Sequence, residues 1–531
     1  MGKMVAGAVV CLVMITSLPA SAQSGSSRDL RQFFEALDAG ASPSLAGRLL
    51  YQPEALAAFY RQRDHAPLWV DGGPLHDALP ELVLAIRDSS GHGLNSANYH
   101  DEALLTLSGP RPPAADLAAE LLASDAFFRL AQHRANGAVA PGVLDPEWHL
   151  VRSEIDPAAV LADLAGSGGS LTRTLDDLWP HSDEYWALVA HRARLLAMGN
   201  PEVVKVPAGP ILRPGQSGPR ILTLKQRLLG PGDHDDAYDA SLRAAVTDFQ
   251  RAASLEPDGL VGAATLDVMN ASNFSWIDRI DANLERWRWL PRDLPETYIR
   301  VNIASFTLRV LDRGEEALRM DVIVGRPYRR TPTFTSPMRY MVFNPFWNVP
   351  RRIAVQDKLP DLRSDATAMA MQGYEAKADG TESWVPVDAV DWSGINRSNF
   401  RYQLRQRPGP QNALGQVKFM MPNDFAVYLH DTPTRDLFAR HERGFSSGCV
   451  RLSQPQELAR WLLAYDGRQQ QADQVSDLLD GGDPEVVYLR QPIPTYLVYF
   501  TALADDQGAV SFRRDLYERD GAIVSALRAQ S

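Results

Sequence analysis

Residues 428–452 read YLHDTPTRDLFARHERGFSSGCVRL, and they hold the most reactive side chains of the chain. Cys449 follows a Ser-Ser-Gly turn, and His430 ends an alternating, strand-like run that begins at Phe425. A thiol attacks a carbonyl group as the thiolate, and a neighbouring imidazole can take up its proton. We therefore predict that a β-rich domain brings His430 to Cys449, and that these two side chains form the active site of an enzyme.

The same stretch also contains a candidate serine nucleophile. Gly444–Gly448 has the form G-x-S-x-G, but that motif requires a later histidine, and none follows His441. No serine stands three residues before a lysine, so the S-x-x-K motif is absent as well. Cys449 is therefore the predicted nucleophile. Its predicted base is His430, because a strand end holds an imidazole rigidly, whereas His441 lies among charged residues typical of a surface.

Other groups must orient the base and bind the oxyanion. The imidazole of His430 needs a hydrogen-bond partner, and either Asp431 or a backbone carbonyl group could serve. The Asp431 side chain would point to the opposite face of an extended strand, so this role stays open. We expect the backbone N–H groups of Gly448 and Cys449 to bind the oxyanion, in a turn that also contains Ser447.

Two residues of this stretch are predicted to contact the substrate. Arg451 would share a strand face with Cys449 and could pair with a substrate carboxylate. The alternative interpretation of Arg451 is a structural salt bridge. Tyr428 is the second predicted substrate-binding residue.

Length and composition indicate an ordinary globular protein of several domains. The chain has 531 residues, of which 45% are hydrophobic and 22% charged, so three or four domains are expected. The formal net charge is -11, and no basic surface typical of nucleic-acid binding is indicated.

The first residues predict export. Lys3 precedes an apolar run, Val5 to Ile15, and Ala20-Ser21-Ala22 offers a cleavage site, so residues 1–22 are interpreted as a signal peptide. An uncleaved N-terminal anchor is the alternative, but the run is short for a bilayer span. Cleavage would remove Cys11 and leave Cys449 as the single cysteine. An exported protein with one thiol needs a reason to keep it, either a catalytic role or inert packing in a core.

Changes in hydrophobic periodicity predict a multidomain α+β protein. Residues 23–205 have helical periodicity and are expected to form a scaffold. Four histidines in this region have no metal-ligand spacing and are interpreted as capping or surface residues: His92, His100, His133 and His149. The other expected regions are a small helical module at 206–273, a connecting helix at 274–296 and a β-rich, sandwich-like domain at 297–531. Within that domain, residues 348–418 show little strand pattern and are expected to form a loop-rich functional lid.

Residues 206–273 resemble the three-helix peptidoglycan-binding module. The pattern runs LxxxL from Leu224, then AVxxFQ ending at Gln250, then DGxVGxxT from Asp258. Asp258 and Gly259 are predicted to form a tight turn, and Gly262 a close approach to the next helix. A helical linker domain without a ligand is the alternative interpretation.

The stretch around Cys449 resembles the signature of the L,D-transpeptidase (YkuD-type) catalytic domain. In that family a histidine precedes S-[HS]-G-C-x-[RN] by just under twenty residues, which corresponds here to His430 and Ser446–Arg451. Ser447 stands where histidine is more usual. The large periplasmic branch of the family shares this serine and the preceding YLHDTP. That branch combines a helical scaffold, a peptidoglycan-binding module and a catalytic domain with a capping lid.

The resemblance implies a reaction. His430 would deprotonate Cys449, which would attack the L-centre carbonyl of meso-diaminopimelate in a tetrapeptide stem and release D-alanine. The side-chain amine of a second stem would resolve the thioester and form a 3-3 cross-link, without a metal or organic cofactor. The alternatives are an L,D-carboxypeptidase or endopeptidase that uses water, and a non-catalytic wall-binding scaffold. The implied location is the periplasm, without a membrane anchor after signal cleavage, and a D,D-carboxypeptidase elsewhere would supply the tetrapeptides.

Overall fold

The computed structural model describes residues 25–150, 152, 154–199, 204–253, 255–480 and 482–529. The expected signal peptide, residues 1–22 with Cys11, lies outside the described residues. The chain forms two compact units. The first comprises the described residues up to Ile86 together with Ala97–Leu130 and Asp156–Thr174. The second comprises Arg87–Ser96, Ala131–Ile155 and the described residues from Leu175 onward.

The region before residue 200 is helical, as its periodicity predicted. One short antiparallel pair of strands, Ser44–Leu45 and Arg48–Leu49, interrupts it. Its α-helices are Gly25–Asp38, Pro53–Gln62, Leu79–Asp88, Asp101–Leu107, Asp116–Asn136, Pro141–Leu144, Pro157–Ser167, Leu171–Asp176 and Asp183–Met198.

The interpretation of this region's histidines as surface or capping residues is wrong for His92 and His133, which are buried. His100 occupies the N-cap position of the helix Asp101–Leu107, but its side chain makes no capping hydrogen bond and is buried. His92 stacks on Trp179 with ring centroids 4.0 Å apart. His100 Nε2 lies 2.8 Å from a carboxylate oxygen of buried Asp125. Aromatic and carboxylate partners from distant positions contact the imidazoles of His92 and His100, and single-residue patterns do not reveal such partners. His149 is exposed, as expected.

The next region contains three helices around one small core: Pro219–Leu229, Ala240–Ala252 and Ala263–Met269. Buried Gln250 explains the AVxxFQ and DGxV patterns. Its side-chain oxygen accepts the N–H of Gly259 (2.9 Å), and its side-chain nitrogen donates to Asp258 (3.0 Å) and to the carbonyl oxygen of Leu260 (2.9 Å). Gly259 has φ +73°, as a tight turn requires. The predicted close approach at Gly262 is wrong, because a Cβ there would meet only Ile211 at 3.8 Å.

The helix Asn273–Arg288 follows and is buried along much of its length. Its final turn fixes a distant segment of the second unit. Glu285 accepts the N–H of Val139 at 2.8 Å, and the indole N–H of Trp289 donates to the carbonyl oxygen of Val139 at 3.1 Å. The helix is therefore part of the packed unit as well as a connection between domains.

The β-rich domain is built on one nine-stranded sheet. In spatial order its strands are Gly444–Ser446, Glu315–Gly325, Val450–Leu452, Leu429–His430, Val417–Met420, Phe334–Phe343, Glu485–Val498, Tyr298–Asn302 and Thr307–Asp312. The last strand also pairs with Glu315–Gly325, so the strand order closes on itself. Alternating apolar residues of these strands form one core together with residues of the helices Pro455–Tyr465, Gln469–Asp473 and Val475–Asp480.

The strand that ends at His430 is shorter than predicted. The sequence predicted a strand from Phe425 to His430, but only Leu429–His430 is one. Asn423 accounts for the difference, because its side chain accepts the N–H groups of Phe425 (3.0 Å) and Val427 (3.1 Å) and donates to the carbonyl oxygen of Val427 (2.7 Å). These bonds hold the backbone in a turn that a strand ladder would have to break.

The insertion at 348–418 is more regular than the predicted loop-rich lid. The insertion contains a four-stranded antiparallel sheet, whose first strand begins one residue before position 348. Its strands are Trp347–Val349, Tyr374–Ala378, Val385–Pro386 and Tyr402–Gln406. The helix Leu359–Met371 packs with them around a separate core that contains Trp392. The expectation failed because these strands are short and their pattern is interrupted by turns and charged residues.

The remaining elements complete the second unit. Its other helices are Arg351–Ile353, Pro455–Tyr465, Gln469–Asp473, Val475–Asp480 and Asp520–Ala529, and its last strands are Ala502–Ala504 and Val510–Phe512. Among residues whose structure is described, no helix has the length and apolar character needed to span a membrane.

We predict that Gln250→Ala destabilises the three-helix region by about 2 kcal/mol, because it leaves buried backbone groups without partners. Gln226→Ala, which changes an exposed glutamine of the same region, should alter the free energy of unfolding by less than about 0.5 kcal/mol. Amide hydrogen exchange within 219–269 would report both values. Equal protection in the two variants would contradict the role of Gln250.

Candidate active site

The central pairing of the site joins the strand Leu429–His430 to the strand Val450–Leu452. The two strands are parallel, with Leu429 opposite Val450 and His430 opposite Arg451. Cys449 immediately precedes the second strand. Both His430 and Cys449 line one cavity of about 640 Å³, so the structure brings the predicted nucleophile and base to the same place.

The turn before Cys449 is held by side-chain hydrogen bonds. Ser446 Oγ donates to the carbonyl oxygen of Cys449 (2.5 Å) and accepts the N–H of Gly448 (3.1 Å). Thr331 Oγ1 donates to the carbonyl oxygen of Gly448 (2.8 Å). Gly448 has φ +124°, which explains the glycine. Of the two expected oxyanion donors, the Gly448 N–H is thus engaged within the turn.

A backbone carbonyl group orients His430. His430 Nδ1 lies 2.5 Å from the carbonyl oxygen of Asp431, so Nδ1 carries the proton and Nε2 is left as the basic nitrogen. The Asp431 carboxylate is used elsewhere, since it accepts the N–H groups of Gln416 (2.9 Å) and Thr432 (2.7 Å). Burial, with the nearby charge of Arg451, lowers the pKa of His430 to about 3.

Burial and three neighbouring groups act on the pKa of the Cys449 thiol in opposite directions. Its sulfur lies 3.8 Å from the carbonyl oxygen of Ala426. Burial raises the pKa of Cys449, and a backbone hydrogen bond from Tyr428, the charge of Lys418 and the Tyr428 hydroxyl act in the opposite direction. Because the pKa of His430 is lowered as well, burial favours a thiol beside a neutral imidazole over an ion pair at neutral pH.

Lys418 is a residue of the site that the sequence did not reveal. It pairs with His430 across neighbouring antiparallel strands, and its Nζ lies 3.9 Å from the centre of the Tyr428 ring. Burial lowers the pKa of Lys418, and the Cys449 thiolate would raise it. The one feature of the sequence that could have indicated this role is that Lys418 is a single lysine in an otherwise apolar strand.

Arg451 has no structural salt bridge within the residues described. Its Nη1 donates to Thr434 Oγ1 at 3.3 Å, and its buried Nε has no partner. The alternative interpretation of Arg451 is therefore not supported, and its guanidinium is available to the cavity that it lines.

The cavity is basic although the chain as a whole is acidic. Five cationic side chains line it: Arg326, Arg330, Arg352, Lys358 and Arg451. The lining carboxylates are Glu147 and Asp357. Such a cavity suits a substrate with several carboxylates. Sequence analysis missed it because the cations come from segments that are far apart along the chain.

Arg329 connects the insertion to the nucleophile turn. Its Nη1 donates to Ser447 Oγ at 2.9 Å, and its Nη2 donates to Asp357 at 2.7 Å. Asp357 belongs to the insertion, whose residues also line the cavity at Arg352, Ile353 and Lys358. Ser447 therefore contacts a cation that is anchored to the insertion.

The residues predicted for the peptidoglycan module lie apart from this cavity. Asp258 and Gly262 line a second cavity of about 760 Å³, which is also lined by residues 304–307 and 440–443 of the β-rich domain. Phe445 lines both cavities.

Comparison with known families assigns three regions of the chain. Residues 296–487 match the L,D-transpeptidase catalytic domain, YkuD. Residues 217–269 match a family described as "Putative peptidoglycan binding domain", and residues 54–191 match a scaffold domain.

Individual relatives were also found. A Haemophilus influenzae protein named "Putative L,D-transpeptidase" is 35% identical over 242 residues, which are 46% of this chain and 48% of that protein. The chain thus spans about half the length of this curated relative. A solved L,D-transpeptidase from Mycobacterium smegmatis has 16% identity, with 38% of this chain and 58% of that chain covered and a TM-score of 0.18. An L,D-transpeptidase from Xylanimonas cellulosilytica has 14% identity, coverage of 55% and 98%, and a TM-score of 0.15.

The family matches agree with the order of regions in the fold and with the position of the Cys449 cavity in the β-rich domain. The chain carries a catalytic domain of the YkuD L,D-transpeptidase family, together with a peptidoglycan-binding domain and a scaffold domain.

Proposed function

We propose that this protein is a peptidoglycan L,D-transpeptidase that forms 3-3 cross-links through a thioester on Cys449. The observation that supports this most strongly is the parallel pairing of Leu429–His430 with Val450–Leu452, which presents one thiol and one basic nitrogen to a single basic cavity. Acyl transfer through a thiol needs these two groups and no metal.

The first half-reaction forms the thioester. His430 Nε2 accepts the thiol proton as Cys449 Sγ attacks the L-centre carbonyl carbon of diaminopimelate in the tetrapeptide. The Cys449 N–H stabilises the oxyanion in the tetrahedral intermediate. When the intermediate collapses, the bond to D-alanine breaks, and the imidazolium returns its proton to the leaving amine. Because burial favours the neutral pair at rest, the charges develop mainly in the transition state, when substrate fills the cavity.

The second half-reaction resolves the thioester. The neutral side-chain amine of a second stem attacks the same carbonyl carbon and passes a proton to His430. The carbon–sulfur bond then breaks, and the imidazolium returns its proton to the sulfur of Cys449. The products are a new amide bond and the resting thiol.

Cationic side chains recognise the donor stem. Stem peptides carry free carboxylates, and Arg451 has no competing carboxylate partner within the described part of the chain. We assign Arg451 to a carboxylate of the donor and Tyr428 to the wall beside the sulfur. The Tyr428 hydroxyl is held near Cys449, and burial raises the pKa of Tyr428 well above its usual range.

Hydrolysis is the alternative fate of the thioester. If water reached it, the same residues would give an L,D-carboxypeptidase or endopeptidase. The insertion favours transfer, because Ile353, Tyr374 and Leu414 place apolar surface against the cavity, and such surface would limit the entry of water. A wall-binding scaffold without catalysis would not explain why His430 and Cys449 line the same cavity.

The proposed reaction also implies a cellular location and a second enzyme. Peptidoglycan lies outside the cytoplasm, so we propose an exported, periplasmic protein whose 206–273 module holds the wall, with a D,D-carboxypeptidase that supplies tetrapeptides. The proposed reaction requires no cofactor and involves no nucleic acid.

The direct test uses disaccharide-tetrapeptide as substrate and mass spectrometry of the products. The parent should form a cross-linked dimer that lacks one D-alanine, and Cys449→Ala should form none. His430→Ala should lose at least about 100-fold in rate, because it lacks the base. His441→Ala is the matched control and should retain activity. Cysteine-dependent tripeptide without dimer would favour the carboxypeptidase, and equal loss in both histidine variants would contradict the assignment of the base.

The neutral resting pair predicts how the thiol reacts with iodoacetamide in the absence of substrate. The alkylation rate should rise continuously from pH 6 to about 9, because the pKa of Cys449 is raised and only the thiolate reacts. Lys418→Met should slow alkylation at pH 8 by roughly fivefold, since loss of a nearby cation raises the pKa of Cys449 further. Lys377→Met, which changes a lysine of the insertion, should have no effect. A rate plateau near neutral pH would indicate a preformed ion pair and contradict this description.

The link through Arg329 predicts that Asp357→Ala increases hydrolysis. Without this carboxylate the insertion is held less firmly at Ser447, and water should enter the cavity more often. We expect the ratio of tripeptide to dimer to rise several-fold, whereas Asp388→Ala, which removes an exposed carboxylate of the same insertion, should leave it unchanged. If the ratio stayed unchanged in both variants, the contact between Arg329 and Asp357 would not control the entry of water, and this prediction would be wrong.

A further inference from the structure

A segment of the scaffold region forms one wall of the active-site cavity. Glu147 lines that cavity and belongs to the same compact unit as the catalytic residues. Its carbonyl oxygen accepts the N–H of Thr333 (2.9 Å) and Thr333 Oγ1 (2.7 Å). The N–H of His149 donates in return to the carbonyl oxygen of Thr333 at 2.7 Å. The backbone at Glu147 is thus joined directly to the start of a catalytic-domain strand.

The same few residues also hold the nucleophile turn. Thr331 bonds to Gly448, and Thr333 bonds to Glu147. Two residues of chain span at most roughly 7 Å, so the anchors of the cysteine turn and of the Glu147 wall lie close together.

The wall is fixed from its other side as well. Trp148 is buried and packs edge-on against Trp289, with ring centroids 4.9 Å apart. Asp145 Oδ2 lies 3.1 Å from Arg519 Nη1, and both side chains are almost fully buried. The backbone at Glu147 lies between two such anchors and therefore has a defined position, which limits where its carboxylate can reach.

The carboxylate of Glu147 has no partner of its own. Its side chain forms no hydrogen bond or ion pair with any residue that the structure describes, and it is only partly buried. The other lining carboxylate, Asp357, is engaged by Arg329. In a cavity with five lining cations, Glu147 is therefore the lining group best suited to a positively charged ligand.

We propose that Glu147 binds the ammonium group of the acceptor stem and thereby directs the thioester to transfer instead of hydrolysis. This inference rests on the proposed function. An alkylamine has a pKa near 10.4, so the acceptor arrives as an ammonium ion, which the surrounding cations would repel. Glu147 offsets that repulsion and concentrates the acceptor beside the thioester. The ammonium ion releases one proton to solvent before attack, and its second proton passes through His430 to the sulfur of Cys449.

The test compares Glu147→Gln with the parent in both half-reactions. Release of D-alanine and formation of the acyl-enzyme should be unchanged, which also shows that the variant is folded. The ratio of dimer to tripeptide should fall by about tenfold, equivalent to about 1.4 kcal/mol, and higher acceptor concentrations should restore it. The matched control is Glu154→Gln, which removes the charge of an exposed glutamate seven residues further on and should leave the ratio unchanged.

Hydroxylamine separates charge recognition from general damage to the site. It is uncharged at neutral pH and resolves thioesters, so Glu147→Gln and the parent should release the acyl group to hydroxylamine at equal rates. A product ratio unaffected by Glu147→Gln would overturn the proposal, and so would an equal loss of reaction with hydroxylamine. If the parent itself formed no acyl group on Cys449, the proposed function would fail, and the role of Glu147 would fall with it.

Discussion

The site depends on the parallel pairing of two very short strands. Leu429–His430 lies beside Val450–Leu452, and this register places the imidazole next to the turn that ends in Cys449. Four neighbouring groups support the register of these two strands. Thr331 and Ser446 hold the turn, the Asp431 carbonyl group orients the imidazole, and Asn423 stops the earlier chain from extending the strand. A slip of one residue would turn His430 to the opposite face.

Burial determines how this pair works. In an open site a cysteine beside a histidine can rest as an ion pair, but here burial raises the pKa of the thiol and lowers the pKa of the imidazole. At neutral pH the neutral forms of both groups are therefore favoured when the cavity holds no substrate. A thiol with a raised pKa reacts slowly with small electrophiles at neutral pH, because little of it is present as the thiolate.

The sequence predicted what short patterns can encode. The turn at Cys449, the helices of the scaffold and the tight turn at Gly259 each depend on residues close together along the chain. Lys418, Glu147 and the Arg329–Asp357 contact could not be predicted, because each gains its meaning from segments that meet only in the folded protein. The sheet of the insertion was missed for a related reason, since its short strands lack a clear alternation. The buried His92 and His100 show the same limit, because their partners are remote in sequence.

The measurement that tests this account most directly is the mass of the protein trapped during reaction with tetrapeptide, followed by mapping of the modified residue. We predict that Cys449 carries the tetrapeptide acyl group without its terminal D-alanine, and that the adduct disappears on addition of hydroxylamine. An adduct on another residue, or turnover of the tetrapeptide by a Cys449→Ala variant, would contradict the account.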